Sequence, residues 1–413
     1  MNRLLQNKIV ARSAQIDEWL RALEKDVPLF MSADIRDAGF KISSIDANLY
    51  PAGFNNLDPS FHPLAIEHLK AALVHYGVNP GGRLLLVSEE HTRNLFYLEN
   101  IHALTRLLTA AGYKVDVGSQ FVIAEEPYAN HVLALKTASG NMVHLLEPSY
   151  AAARLNEYAA IIMNHDSSAG TADWIKNAAI PVLPPWQAGW HSRSKARHFA
   201  HYRSLMNELA SIVGVDPWFF APLDAHITGI DINTDADRAK VSELAAQLLQ
   251  QIQAKYDEYQ IKEKPFVFLK SDHGTYGMAM LSFDSAGEIL DINRKEKNKL
   301  FKGKSSVVVK DYLLQEGVPT ILREAEHYSE TVVMLANNQF IGCFARANEQ
   351  KGARTSLNST GMYFKPHTLA AADNDATRVA AIITRVAGIA LQREICELVA
   401  HGAPGTAEPL PCP

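Results

Sequence analysis

Cysteine is scarce: Cys343, Cys396 and Cys412 are the three in 413 residues, and they show no CxxC or Cys/His ligand spacing. That leaves neither a disulfide framework nor a Cys/His metal motif to read, and it fits a reduced, cytoplasmic protein. An excess of positive charge is missing too. With a formal net charge of −5 the chain offers no general attraction for nucleic acid or an anionic membrane, and neither is expected as a partner. Long uninterrupted apolar runs are absent. The most apolar late stretch, "VAAIITRVAGIALQREICELV", is broken by Arg385, Arg393, Glu394 and Glu397 and reads as a buried amphipathic helix, not a membrane span. The opening "MNRLLQNKIVARSAQIDEWL" lacks the apolar core and small-residue cleavage site of a secretory signal. No internal repeat or long low-complexity tract occurs, and only "HGAPGTAEPLPCP" at the end reads as a disordered tail.

What is present suits two or three domains, each able to bury its own core. Ile16, Trp19, Leu20 and Leu23 mark an N-terminal helix. The stretch "FMSADIRDAGFKISSIDANLYPAG" follows and reads as two strands joined by a turn at Ala38-Gly39. From Gly82 the pattern becomes strand, polar loop, amphipathic helix and strand, a βαβ unit whose loop belongs at the carboxyl end of a parallel sheet, where ligands usually sit. "YAAIIMNHDSSAG" repeats the strand-to-loop design. A basic segment, "HSRSKARHFAHYRSL", leads into helices up to about residue 262, and the last third alternates strands and helices in an α+β manner.

The most informative stretch is "FVFLKSDHGTYGMAM", residues 266 to 280. A buried-type strand ends in Lys270 and Ser271 and enters a loop containing Gly274, Thr275, Tyr276 and Gly277. Glycine lets backbone N–H groups approach phosphate oxygens, and a lysine beside them adds the cation. The lysine precedes the glycines, so this is not a Walker loop; the alternative is a hairpin whose glycines only turn the chain. "EEHTRN" puts Arg93 and Asn94 at a strand end as anchors for a substrate carboxylate, with helix capping by Thr92 or Asn94 as the alternative. Arg193, Lys195 and Arg197 are a second basic candidate, ranked lower because charge runs usually form solvated faces. His198 and His201 lack a third ligand for a metal site. Ser, His and Asp in "NHDSS" are adjacent in sequence, which is not triad geometry.

The order of "KSDHGTYGMAM", "VVVKDYLLQEGVPT", "SETVVMLANNQFIGCFARAN" and "LNSTGM" over roughly residues 262 to 370 resembles the glutathione-synthetase-like branch of the ATP-grasp superfamily. Together with "SADIRDAGFKISSIDANLYPAGFNNL", "EEHTRNLFYLENIHAL" and "AGWHSRSKARHF", the chain looks like the ATP-grasp-type bacterial glutamate–cysteine ligases. This resemblance implies a soluble enzyme that joins the glutamate γ-carboxylate to the cysteine amine through an acyl phosphate, with ATP and Mg²⁺. The rivals are another carboxylate–amine ligase of the same fold and an ATP sensor without turnover. It implies catalytic roles for Lys270 and Arg346, nucleotide contacts from Lys270, Ser271, Gly274 to Gly277, Leu314, Gln315 and Glu316, and substrate contacts from Arg36 and Asn358 beside Arg93 and Asn94.

The family pattern ends with a metal-binding pair of strands that the C-terminal region lacks. Asp34 on one strand and Asp46 and Asn48 on the next are the metal candidates, which implies a circular permutation; the alternative is that Asp34 and Asp46 are ordinary strand-edge and turn residues. The expected fold is therefore mixed α+β and α/β: an ATP-grasp fold, circularly permuted, with a Rossmann-like βαβ substrate domain. Residues 1–60 would complete the C-terminal ATP-grasp domain 313–400. Residues 61–200 would form the substrate domain, 201–262 a helical connection, 263–312 a small lid domain and 401–413 the tail.

Overall fold

The computed structural model describes residues 3–90, 93–123, 127–168, 170–273, 280–301 and 308–401. The fold is mixed α/β, with three sheets. The first orders its strands Met362–Pro366, Gln339–Asn348, His327–Ala336, Phe30–Asp37 and Ile42–Asn48, every neighbouring pair antiparallel. The N-terminal hairpin is thus an integral part of a C-terminal sheet: Phe30 to Ile35 pair in register with Ala336 to Thr331. Its turn closes where Gly39 adopts φ +83°, a conformation glycine reaches without a Cβ clash. There the Asp37 carboxylate accepts from the Gly39 N–H at 2.8 Å.

Side chains alternate across this sheet with period two. Met31, Ala33, Ala47, Val333, Leu335 and Cys343 enter a core with the helices Arg3–Ala11, Ser13–Leu23, Lys195–Val213 and Asp375–His401. The other face carries Ser32, Asp34, Asp46, Asn48, Val332, Met334, Phe344 and Arg346. The late apolar stretch is the helix Asp375–His401, whose Val379, Ile383, Val386, Ala387 and Ala390 are buried. Among the described residues no helix is long and apolar enough to cross a membrane.

In the second sheet the order is Val132–Lys136, Met142–Leu146, Lys114–Ser119, Arg83–Ser88, Ala160–Asn164, Val182–Leu183. It is parallel apart from its first strand. Leu84 to Val87 are all buried, as expected of a strand covered on both faces. The helix Leu95–Ala110 links the strands 83–88 and 114–119. The loops after Ser88 and Asn164 leave neighbouring strands at the carboxyl edge.

The third sheet orders Met280–Phe283, Val267–Ser271, Tyr312–Glu316 and Asp224–Ile227, all antiparallel. It packs on the helix Asp235–Glu258 through Val241, Ala245, Leu248, Ile252 and Tyr256. This corrects the expected division at residues 262 and 312. Strand 224–227 lies inside the stretch read as a helical connection, and strand 312–316 pairs with the Lys270 strand, not with the C-terminal sheet.

One buried ion pair ties the hairpin turn to this third sheet. Lys41 Nζ lies 2.7 Å from a Glu316 oxygen, with both side chains fully enclosed. Trp218 Nε1 (3.1 Å) and the Leu223 N–H (2.9 Å) donate to the same carboxylate. Burial pushes the Lys41 ammonium down to about 8, against the pull of Glu316. Breaking such a pair strands a buried charge, so Glu316→Leu is expected to destabilise the fold by ~3–5 kcal/mol, and adding Lys41→Met should recover part of that loss. Urea unfolding of the single and double variants measures both; a loss below about 1 kcal/mol in the single variant would place the pair among solvent-screened bridges.

Candidate functional site

A cavity of about 650 Å³ opens between the polar face of the first sheet and the carboxyl edge of the parallel sheet. The hairpin contributes Ser32, Asp34, Asp46 and Asn48; the C-terminal strands contribute Val332, Met334, Phe344, Arg346 and Phe364; and Asn358 comes from the loop between strands 339–348 and 362–366. Facing them are the loop Pro51–Asn56, Asn94, Phe96 and Tyr97 at the start of helix 95–110, and Trp190. Phe96, 74% exposed, stands at the mouth.

Below the cavity runs a chain of alternating charges. Arg36 Nε binds Glu330 at 2.7 Å, with the two side chains 1% and 2% exposed. The other Glu330 oxygen takes Arg346 Nη1 at 2.9 Å, and the same Nη1 reaches Asp34 at 2.5 Å. Asp34 stands directly across the strand pair from Asp46, so two carboxylates share one face, an unfavourable placement without a cation. Burial raises the Asp34 carboxyl to about 6; Arg346 opposes this, while Glu330 and Asp46 add to it. Burial works against the Glu330 charge as well, yet Arg36 and Arg346 hold that carboxyl below its usual range. Two polar atoms of the cavity wall, Arg346 Nε and Asn55 Oδ1, are buried without a hydrogen-bond partner. The described residues donate nothing to the Asp46 carboxylate. Asn48 Oδ1 accepts from the Tyr50 N–H at 2.9 Å, which orients the amide and leaves a lone pair. An orphaned guanidinium N–H beside two carboxylates and an amide oxygen is a donor set that fits an anionic group together with a hard divalent cation.

Lys270 does not line this cavity but lies against the hairpin. Its Nζ donates to the Ile45 carbonyl (3.0 Å), next to Asp46, and to Gln315 Oε1 (2.7 Å). Burial brings its pKa down to about 8, with Asp46 pulling upward. The residue just past its strand docks on the basic segment: the Lys195 N–H donates to the Asp272 carbonyl at 3.0 Å, and the Ala196 N–H to the Asp272 carboxylate at 2.7 Å.

The structure brings Asp34, Asp46, Asn48, Arg346, Asn358 and Asn94 to one cavity. Arg93 is exposed beside it, and Asn94 caps the helix by accepting from the Tyr97 N–H at 3.2 Å. Gly274, Thr275, Tyr276 and Gly277 lie outside the described residues, as do His91, Thr92 and residues 402–413.

Several expectations need correction. Arg36 is a buried tie, not a substrate contact: besides Glu330 it donates to the Val318 (3.2 Å) and Thr355 (2.7 Å) carbonyls. The Glu316 carboxylate already accepts from Lys41, Trp218 and the Leu223 N–H. Leu314 is fully buried in the core on the helix 235–258. Gln315 is also fully buried, with Oε1 on Lys270 and Nε2 unpartnered. The strand 312–316 is flanked by strands 267–271 and 224–227. The Ser271 hydroxyl donates to the His273 carbonyl.

The basic segment is not a solvated face either. Arg193 is 2% exposed, binds Glu394 at 3.0 Å and stacks 4.7 Å from the Trp190 ring centre, as Lys195 does at 4.4 Å. Trp190 is a cavity residue that sequence reasoning missed. Its signal in the sequence was a tryptophan shortly before Arg193 and Lys195 in "AGWHSRSK".

Behind Tyr97, Glu89, His165 and Asp166 bring possible ligand atoms within 4.8 Å of one another. Their atoms are committed to one another and to the loop. Glu89 accepts from the Asp166 N–H (3.0 Å), His165 Nδ1 from the Ser167 N–H (2.9 Å) and Asp166 from the Ser168 N–H (2.9 Å), while His165 Nε2 meets Glu90 at 3.0 Å. The network shapes the carboxyl-edge loops.

A family model described as glutamate-cysteine ligase (GshA) matches residues 6–394. A solved structure from Methylobacillus flagellatus, described provisionally as a gamma-glutamylcysteine synthetase, is 31% identical; the match covers 95% of this chain and 96% of that one, with a TM-score of 0.84. D-cycloserine synthetase DcsG (13% identity, 75% of this chain and 82% of that one, TM-score 0.39) and D-alanyl-alanine synthetase A from Vibrio cholerae (11%, 74% and 81%, TM-score 0.33) are too distant to carry an argument. No curated protein sequence matches. A match along nearly the whole chain, supported by a solved structure of the same shape, settles the kinship: the chain belongs to the glutamate–cysteine ligase family.

Proposed function

We propose that the cavity under the N-terminal hairpin is the catalytic centre of ATP-dependent glutamate–cysteine ligation. One observation carries this reading: the hairpin enters the C-terminal sheet so that Asp34, Asp46 and Asn48 share a face with Arg346, while Lys270 touches the same hairpin at Ile45. The pairing suits an ATP-grasp arrangement, circularly permuted, in which the N-terminal residues 1–60 complete the C-terminal sheet of strands 327–336, 339–348 and 362–366. In that arrangement 61–200 form a Rossmann-like substrate domain, and the lid is the sheet of strands 224–227, 267–271, 280–283 and 312–316 with the helix 235–258 packed on it.

A carboxylate is a poor acyl donor. A γ-carboxylate oxygen of glutamate attacks the γ-phosphorus of ATP and ADP departs; the cysteine nitrogen then attacks the acyl carbon, loses a proton and expels phosphate. Arg346, with its unpartnered Nε, and Lys270 supply fixed positive charge where the phosphoryl group carries negative charge. Mg²⁺ held by Asp34, Asp46 and Asn48 would neutralise phosphate charge further. The apolar walls and the loop 51–56 exclude water, which would hydrolyse an acyl phosphate. Asn94, Arg93 and Asn358 are the candidates to meet amino-acid carboxylates at the mouth.

Phosphate release from Mg-ATP is expected only when glutamate and an amine acceptor are both present. Mass spectrometry should identify γ-glutamylcysteine; an α-linked dipeptide or release of AMP would contradict the assignment, and a preference for another acceptor would point to a sister ligase. Lys270→Ala should keep the fold and lower kcat by roughly 10²–10³, the scale of losing one pre-placed electrostatic group. Because the lysine acts as a cation and burial brings its pKa to about 8, its contribution is present below that pH and lost above it. The kcat/KM for Mg-ATP, which reports the free enzyme, should therefore fall as pH rises through about 8. An unchanged alkaline limb in Lys270→Ala would assign that limb to another group.

A further inference from the structure

The cavity is polar at one end and apolar at the other, and the boundary lies beside Arg346. Across the sheet one row reads Asp46, Asp34, Val332, Phe344, and its chemistry changes between the second and third members. The next row contains Asn48, Ser32 and Met334. Val332, Met334 and Phe344 are all buried yet face the cavity.

The apolar end has a hard stop. Phe344 packs edge-on to Phe364, with ring centres 5.4 Å apart. A Cβ at Gly53 would meet the Phe344 ring at 2.7 Å and the Met334 sulfur at 3.7 Å, so the loop 51–56 closes directly on these two side chains.

Accepting the proposed reaction, we infer that this apolar end receives the side chain of the amine substrate, with Met334 and Phe344 as its specificity-determining residues. Glutamate presents charged groups at both ends. The CH₂–SH of cysteine is the one apolar, polarizable group on either amino acid, and a thioether beside an aromatic edge suits it. Adenine is the other apolar moiety in the reaction, but the proposed phosphate lysine meets the sheet at the edge strand 42–48. Phe344 and Phe364 lie on the two strands farthest from that edge. Strands are spaced about 4.8 Å apart, so the apolar wall begins one strand from Asp34, within reach of a substituent on the attacking amine's carbon.

The test is an acceptor panel with Mg-ATP and glutamate, reading kcat/KM for cysteine, 2-aminobutyrate, serine and norvaline. The wild-type enzyme should use 2-aminobutyrate at least about tenfold better than serine, because Met334 and Phe344 offer the hydroxyl no strong hydrogen-bond partner. Met334→Ala and Phe344→Leu should raise the norvaline-to-cysteine ratio by about tenfold or more. Should either variant fold poorly, Met334→Leu keeps the volume and removes the sulfur, and it should lower the preference for cysteine over 2-aminobutyrate. Equal use of serine and 2-aminobutyrate, or rates that fall together while the ratios stay fixed, would overturn the inference alone. No γ-glutamyl product with any acceptor would overturn the functional reading and the inference with it.

Discussion

The site depends on the bond between Arg36 and Glu330. It joins a strand near the amino terminus to one almost three hundred residues later, and it is almost completely closed to solvent. Two charges taken out of water cost several kcal/mol each unless they are paired and their remaining hydrogen-bonding groups are met. Arg36 satisfies that condition through Glu330 and two carbonyls, and Glu330 through Arg36 and Arg346. Arg346 is thereby held with its Nε free in the cavity wall, and Asp34 is held beside it. The loop carrying Asn358 is tied in by the same residue, because Arg36 Nη2 donates to the Thr355 carbonyl. Asn348 grips the other side of that loop through the Leu357 (3.1 Å) and Ser359 (3.3 Å) carbonyls.

Strand alternation does the rest. One face of the first sheet is greasy and sits on four helices; the other presents carboxylates, an amide and a guanidinium in three rows. A one-residue slip of the hairpin would exchange the faces, sending Asp34 and Asp46 into the helical core. The Lys41–Glu316 pair opposes such a slip from the turn, by anchoring the hairpin to the third sheet.

Much of this was legible in the sequence where it depended on local pattern. The hairpin with its turn at Gly39, the βαβ unit and the buried late helix all follow from periodicity and turn chemistry. Asp34, Asp46, Asn48 and Arg346 were legible as a group through the family resemblance, and they do share one cavity. Long-range burial was not legible. Arg36 and Glu316 are charged residues beside strands and read naturally as ligand contacts, but each is matched by a partner about three hundred residues away. Arg193 misled for the same reason: a basic run looks solvated until Glu394 and Trp190 are placed against it. The boundary at 312 failed because nothing in "DYLLQE" says which of two sheets it joins.

If the Arg36–Glu330 bond organises the site, a double-mutant cycle between Arg36→Met and Glu330→Gln should show it, with unfolding free energy and kcat both measured. The account predicts a coupling energy above about 2 kcal/mol in stability, well beyond the few tenths seen for independent sites. It also predicts at least a tenfold loss of kcat in Arg36→Met, although Arg36 does not line the cavity. Effects on stability that add within about 0.5 kcal/mol, with kcat unchanged in Arg36→Met, would contradict it.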